Sequence, residues 1–168
     1  MICEDSRSTA DGDVSAFRKL ISIDKVPVAT GFILSDGALA CAPIANSSKV
    51  VLLSTSASTE KFRDAGDYVF RLRESGIIHG REMADYTLNV LKVTTCALLY
   101  ANAENGITYA GSYKSQFEIR GGKVLLDERY TEGETDFRSV LSKIKDARPD
   151  AVYLAGLAGL PPIAWTRS

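Results

Sequence analysis

Along this chain, short apolar runs of strand length alternate with stretches of helical period, at similar spacing throughout. Residues 1–3 predict a stub of strand. Asp11 or Asp13 predicts the cap of a helix reaching Ile21, with Val14, Phe17, Leu20 and Ile21 on one face. Residues 26–29 predict a short buried strand, and 35–46 a helix whose inward side is small at Ala38, Ala42 and Ala45. Residues 50–53 predict the next strand, which opens into the polar loop Ser54-Thr55-Ser56-Ala57-Ser58-Thr59. Further along, strands are expected over 68–70, 95–100, 123–127 and 151–155, and helices over 75–91, 109–119 and 136–147.

Buried Val/Ile/Leu strands separated by helices predict an α/β fold: Rossmann-like parallel sheets of about seven strands in all, covered by helices on both faces. The polar stretch Arg71-Leu72-Arg73-Glu74-Ser75 sits between a finished strand and a new helix, which makes it the expected crossover between two lobes. After residue 155 the pattern changes. Gly156, Gly159, Pro161 and Pro162 disfavour the helix that should cover the last strand, so residues 160–168 form an atypical tail.

Charge and cysteines narrow the function. Twenty Lys plus Arg against 21 Asp plus Glu give a net charge of −1, without the basic excess of a nucleic-acid binder. Three widely spaced cysteines and a single histidine, His79, supply neither a zinc set nor a His-dependent triad, and buried thiols are the expected state. Asp5, Asp11 and Asp13 do not have calcium-loop spacing. No P-loop, G-x-S-x-G or G-x-G-x-x-G occurs, so no enzyme activity and no cofactor are expected. The start of the chain runs straight into charge and carries no signal peptide, and no apolar run is long enough to cross a bilayer.

In open α/β sheets ligands bind where strands end and helix N-termini begin. Two such places come from neighbouring units: residues 30–37, with Ser35, and the loop 54–59. Their hydroxyls and amides suit a carboxylate or an ammonium equally, while a helix cap or a polar turn would explain each loop taken alone. A phosphate held by the second loop would lack a basic residue within it; Lys61 and Arg63 follow as solvated residues.

Over residues 2–157 the order of several segments resembles the substrate-binding proteins of ABC transporters, in the type I periplasmic-binding fold of the leucine/isoleucine/valine-binding family. The segments are Asp24-Lys25-Val26, Ala42-Pro43-Ile44-Ala45, the run Leu52 to Ser58, Tyr68-Val69-Phe70-Arg71, Thr135-Asp136-Phe137 and Pro149-Asp150-Ala151-Val152-Tyr153. The resemblance implies a non-catalytic protein of two lobes, here incomplete: 1–73 as part of the first and 74–159 as part of the second. It implies a small polar solute, a branched-chain or other amino acid, delivered to an ABC permease outside the cytoplasm.

Carried onto this chain, Ser35 and Ser58 would offer hydroxyls and backbone N–H to the ligand carboxylate. Carbonyls near Ser56 and Ala57, with the Ser58 hydroxyl, would accept from an α-ammonium. Asn105, before Gly106, stands where the family often has an aromatic residue, and Asp36 where it commonly has Ser, bringing a negative charge toward the carboxylate site. A small amide or urea-like solute is an alternative ligand. Without the family's first strand and helix and its later hinge segments, the half-built lobes would expose apolar faces that a homodimer could cover. A ligand-sensing domain of the same fold, or a truncated remnant without function, are the alternatives to a transport receptor.

Overall fold

The computed structural model describes residues 1–131 and 133–156. In chain order it contains α1 (Ala10–Ser22), β1 (Val28–Gly31), α2 (Ser35–Ser48), β2 (Val51–Ser54), a 3-10 helix (Glu60–Asp64) and β3 (Val69–Arg71). There follow α3 (Gly76–Asn89), β4 (Thr95–Ala101), α4 (Glu104–Ile119), β5 (Lys123–Tyr130), α5 (Arg138–Ala147) and β6 (Ala151–Ala155). The strands form two separate parallel sheets, ordered β1-β2-β3 and β5-β4-β6.

The fold is the expected α/β arrangement of parallel sheets with flanking helices. The expected strand at residues 1–3 does not form, leaving six strands among the described residues. The expected tail, 160–168, lies outside those residues.

In the first sheet, every second residue faces α1 and α2. Ala29, Leu52 and Val69 meet Phe17, Ala38, Cys41 and Ala45 there, and Phe17 and Leu52 are almost wholly buried. Each such large side chain stabilises the fold by about 1.5–3 kcal/mol through its removal from water. The opposite face is not covered by a described helix, contrary to the expectation of two covered faces: Val28 and Phe70 are about half exposed. The second sheet is covered on both sides. Leu98 and Tyr100 of its central strand pack with Ala110, Tyr113 and Phe117 of α4, while Ala97 and Leu99 pack with Ile144 of α5. β4 is therefore buried along nearly its whole length, as a central parallel strand should be.

Local chemistry explains the differences at element ends. Thr9 caps α1, its hydroxyl accepting from Gly12 N at 3.0 Å, so Asp11 and Asp13 fall inside the first turn. Ser75 is the cap of α3, accepting from Ile77 N. α4 begins at Glu104, five residues before the expected start at Tyr109. Asn105-Gly106 has the composition of a turn, yet here it lies in the first turn of the helix, where a Cβ on Gly106 would sit 2.3 Å from the Ala101 carbonyl oxygen. Cys41 and Cys96 are buried as expected, whereas Cys3 is exposed; all three are free thiols.

Candidate functional site

Both sheets are parallel, so in each of them all strands end on the same side, and the loops after β1 and β2 and the end of β6 border one cleft. The cleft is a cavity of about 370 Å³, within the usual size range of small-molecule sites. From the first sheet's loops come Ser35, at the start of α2, and Ser56 and Ser58, beyond β2. From the second unit come Asn105 and Tyr109 of α4, and Tyr153 with the end of β6. Four of the five residues singled out from the sequence thus line one cavity.

Ala57 does not. Its methyl group is buried in the core of the first sheet, and its N–H donates to the Ser54 hydroxyl at 3.0 Å. That bond shapes the loop around the site.

The loop is held rigidly. The Ser54 hydroxyl donates to the Phe32 carbonyl at 2.6 Å, and the Thr55 hydroxyl to the Gly31 carbonyl at 2.6 Å, tying the end of β2 to the end of β1. Ser58 N–H donates to the Ser35 hydroxyl at 3.2 Å. The backbone donor assigned to a ligand is therefore engaged by Ser35, and both serines are almost fully buried. The Ser58 carbonyl accepts from Gly76 N at 2.8 Å, which fixes the start of α3 beside the loop.

Asp36 is not one of the cavity residues. Its Oδ2 accepts from Glu104 N at 3.3 Å, so the carboxylate sits at the N-terminus of α4, where the helix dipole favours it. The charge expected to oppose a ligand carboxylate is spent across the cleft instead. Lys61, expected to be solvated, also reaches across, pairing with Glu104 at 2.6 Å. Arg63 does point to water, with an i,i+3 contact to Glu60.

Three contributors escaped sequence reasoning. Arg73 lines the cavity although its segment read only as a crossover, and it donates to the Ser56 carbonyl at 3.4 Å. Tyr109 was masked by the misplaced helix start. Tyr153 read as a buried strand residue; it stacks on Tyr113 with ring centroids 4.1 Å apart and still presents surface to the cleft. Its alternation within β6, two residues before the strand end, was the available signal. Burial pushes the Tyr153 hydroxyl up to about 12, so it remains a neutral donor at physiological pH. His79 is not a cavity residue; its ring lies 6.1 Å from that of Tyr109. Among the described residues no cluster of His, Cys, Asp and Glu could hold a metal, and no helix is long and apolar enough to cross a membrane.

Two parallel α/β units with a cleft at their strand ends define the architecture of a two-lobed solute-binding protein. Comparison with known families gives the same class. Residues 1–163 match the family described as periplasmic binding protein, and the chain belongs to that family. It is 24% identical over 145 residues to an amino acid binding protein of Pseudomonas aeruginosa, covering 86% of this chain and 39% of that one.

The fold is similar to the solute binding protein of an ABC transporter from Rhodopseudomonas palustris BisB5, solved in complex with 3,4-dihydroxy benzoic acid. The TM-score is 0.84 at 26% identity, over 95% of this chain and 43% of that one. It is also similar to the leucine binding protein LivK of Thermotoga maritima, with a TM-score of 0.83 at 25% identity, over 89% and 43% of the two chains. The chain thus spans about two fifths of the length of the relatives it matches. These relatives are binding proteins, not enzymes.

Proposed function

We propose that this chain supplies parts of two lobes, 1–73 of the first and 74–159 of the second, of a receptor that holds a small organic carboxylate between them and delivers it to an ABC permease outside the cytoplasmic membrane. The observation that carries this reading is the convergence of Ser35, Ser56 and Ser58 from one sheet with Asn105 and Tyr109 from the other around a single cavity. Hydroxyls from Ser35 and Ser58 and the amide of Asn105 serve the solute as hydrogen-bond donors, each such bond to a charged group contributing about 1.5–3 kcal/mol in a desolvated cleft. The relatives' ligands, amino acids for one and a dihydroxybenzoic acid for another, share a carboxylate. A branched-chain amino acid is one member of that class.

The uncovered face of the first sheet, around Val28 and Phe70, is where the expected homodimer would rest, and the cleft reading does not require it. Calorimetric titration of the chain with a panel of small carboxylates and their amides tests the proposal: carboxylates should bind and the matching amides should not. Equal binding of both, or of neither, would overturn it.

A further inference from the structure

One buried hydroxyl touches both of the loops that form the first unit's side of the cleft. Alternation along β2 puts Ser54 on the same face as Leu52, in the core of the first sheet, and Ser54 is fully buried there. It does not line the cavity. A hydroxyl in such a place destabilises the fold unless it is hydrogen-bonded. Ser54 uses its oxygen twice: it donates to the Phe32 carbonyl at 2.6 Å and accepts from the Ala57 N–H at 3.0 Å.

The two partners lead to different walls of the site. Ala57 stands between Ser56 and Ser58, which both line the cavity, and its own burial keeps its N–H out of reach of solvent. Phe32 leads into Ile33 and Ser35, which line the same cavity. Its φ of 33° lies in the left-handed region, unfavourable for a bulky side chain, while its ring packs edge-on against Phe17 in the core. The bond from Ser54 fixes the carbonyl of that strained residue against the loop beyond β2. The loops then meet a second time at the cavity wall, where Ser58 N–H donates to the Ser35 hydroxyl at 3.2 Å. That contact is at the long end of the hydrogen-bond range, so a small shift of either loop breaks it.

We propose that Ser54 is a positioning residue for solute binding: by bridging Phe32 and Ala57 it holds Ser35 on one loop, and Ser56 and Ser58 on the other, at the spacing the solute meets. This rests on the reading of the cleft as a carboxylate site. Ser54 touches no solute itself. Without its hydroxyl the Ala57 N–H and the Phe32 carbonyl lose their partners, Phe32 relaxes, and binding must reorder two loops that were preorganised.

The test compares Ser54→Ala, Ser54→Cys and Val69→Ala with the wild-type chain. Ser54→Cys keeps a side chain of similar shape whose sulfur donates and accepts only weakly, and it carries the comparison if Ser54→Ala fails to fold. Val69→Ala removes apolar burial from the same core on β3 and serves as the stability control. Each chain is melted thermally and titrated calorimetrically with L-leucine and with 3-phenylpropanoate, and NMR follows exchange of the Ala57 amide proton with solvent. Ser54→Ala should weaken whichever probe the wild type binds by about tenfold or more, with Ser54→Cys falling between. Both should speed exchange at Ala57, and Val69→Ala should keep the wild-type affinity despite its lower melting temperature. An affinity within about twofold of wild type in a folded Ser54→Ala or Ser54→Cys overturns the role of Ser54, as does an equal loss in Val69→Ala, and in both cases the carboxylate cleft stands. A folded wild type that binds neither probe overturns the carboxylate reading and this inference with it.

Discussion

Lys61 Nζ donates to Glu104 Oε1 at 2.6 Å, joining the 3-10 helix that follows β2 to the first residue of α4. The Thr59 hydroxyl donates to the other carboxylate oxygen at 3.4 Å, and Asp36 accepts from the Glu104 backbone N–H. A single residue at the start of one unit is therefore held three ways by the other, at the rim of the cleft. Lys61 is largely exposed, so the pair contributes only about 0–1 kcal/mol to stability. Its effect should appear in the cleft's kinetics. Glu104→Gln should change the melting temperature little, raise the solute dissociation rate several-fold, and remove part of the salt dependence of that rate in stopped-flow measurements. A dissociation rate equal to wild type at low salt would show that the pair does not restrain the cleft.

Ser58 is buried beside both Ser35 and Gly76 and lines the cavity. Replacing it with Ala removes the hydroxyl and leaves the backbone bonds in place. Solute affinity should fall by about 1–3 kcal/mol, or about 5- to 150-fold, because a charged ligand oxygen loses its partner. Titration calorimetry measures this directly, and an unchanged affinity would remove Ser58 from the site.

Gly80 of α3 packs against α4 without room for a side chain. A Cβ there would lie 2.7 Å from the Tyr109 carbonyl oxygen and 2.9 Å from Tyr113 N, both of them backbone atoms that cannot rotate away. Gly80→Ala should force the helices apart, destabilise the chain by about 1–3 kcal/mol, and displace Tyr109 from the cleft. A denaturant melt reads the first effect and a loss of solute affinity the second.

The thiols should separate into two classes. Cys3 is exposed, while Cys41 is fully buried and burial pushes its thiol up to about 12. A thiol reagent should modify Cys3 quickly in the folded chain, and Cys41 and Cys96 only on unfolding. The same burial gives a pH dependence. The unfolded Cys41 thiol ionises near 9.0 and the folded one near 12, so the unfolded state sheds its proton first as pH rises. Stability is fully present below the lower value and is lost progressively through the window up to the higher one, by about 2 kcal/mol at about pH 10.5. Cys41→Ala should flatten that alkaline loss in urea melts; an identical pH profile would contradict it.

The sheets and helices were legible because their apolar runs and caps are local. Leu52 in a four-residue apolar run, and Phe17 on a helical stripe, each announce a core position without reference to the rest of the chain. The site was legible only in part. Ser35, Ser56 and Ser58 are hydroxyl residues at strand-to-helix junctions, where topology alone brings ligands. Arg73 and Tyr153 enter the cleft through tertiary placement: one follows the last strand of the first sheet, the other lies on the last strand of the second. No local pattern relates them. Asp36 shows the same limit in reverse, since its charge looked hostile to a carboxylate until the N-terminus of α4 proved to be its partner. Gly106 was not legible as a structural requirement, because the need for glycine there comes from the close approach of the start of α4 to the Ala101 backbone.

The most direct test of the account is an NMR titration that follows backbone amide shifts while a small carboxylate such as 3-phenylpropanoate is added. The account predicts saturable shifts clustered at Ser56, Ser58, Asn105 and Gly156, from both sheets at once, with one common dissociation constant. Saturable shifts confined to one unit, or centred on the uncovered face around Val28 and Phe70, would contradict a solute site between the two.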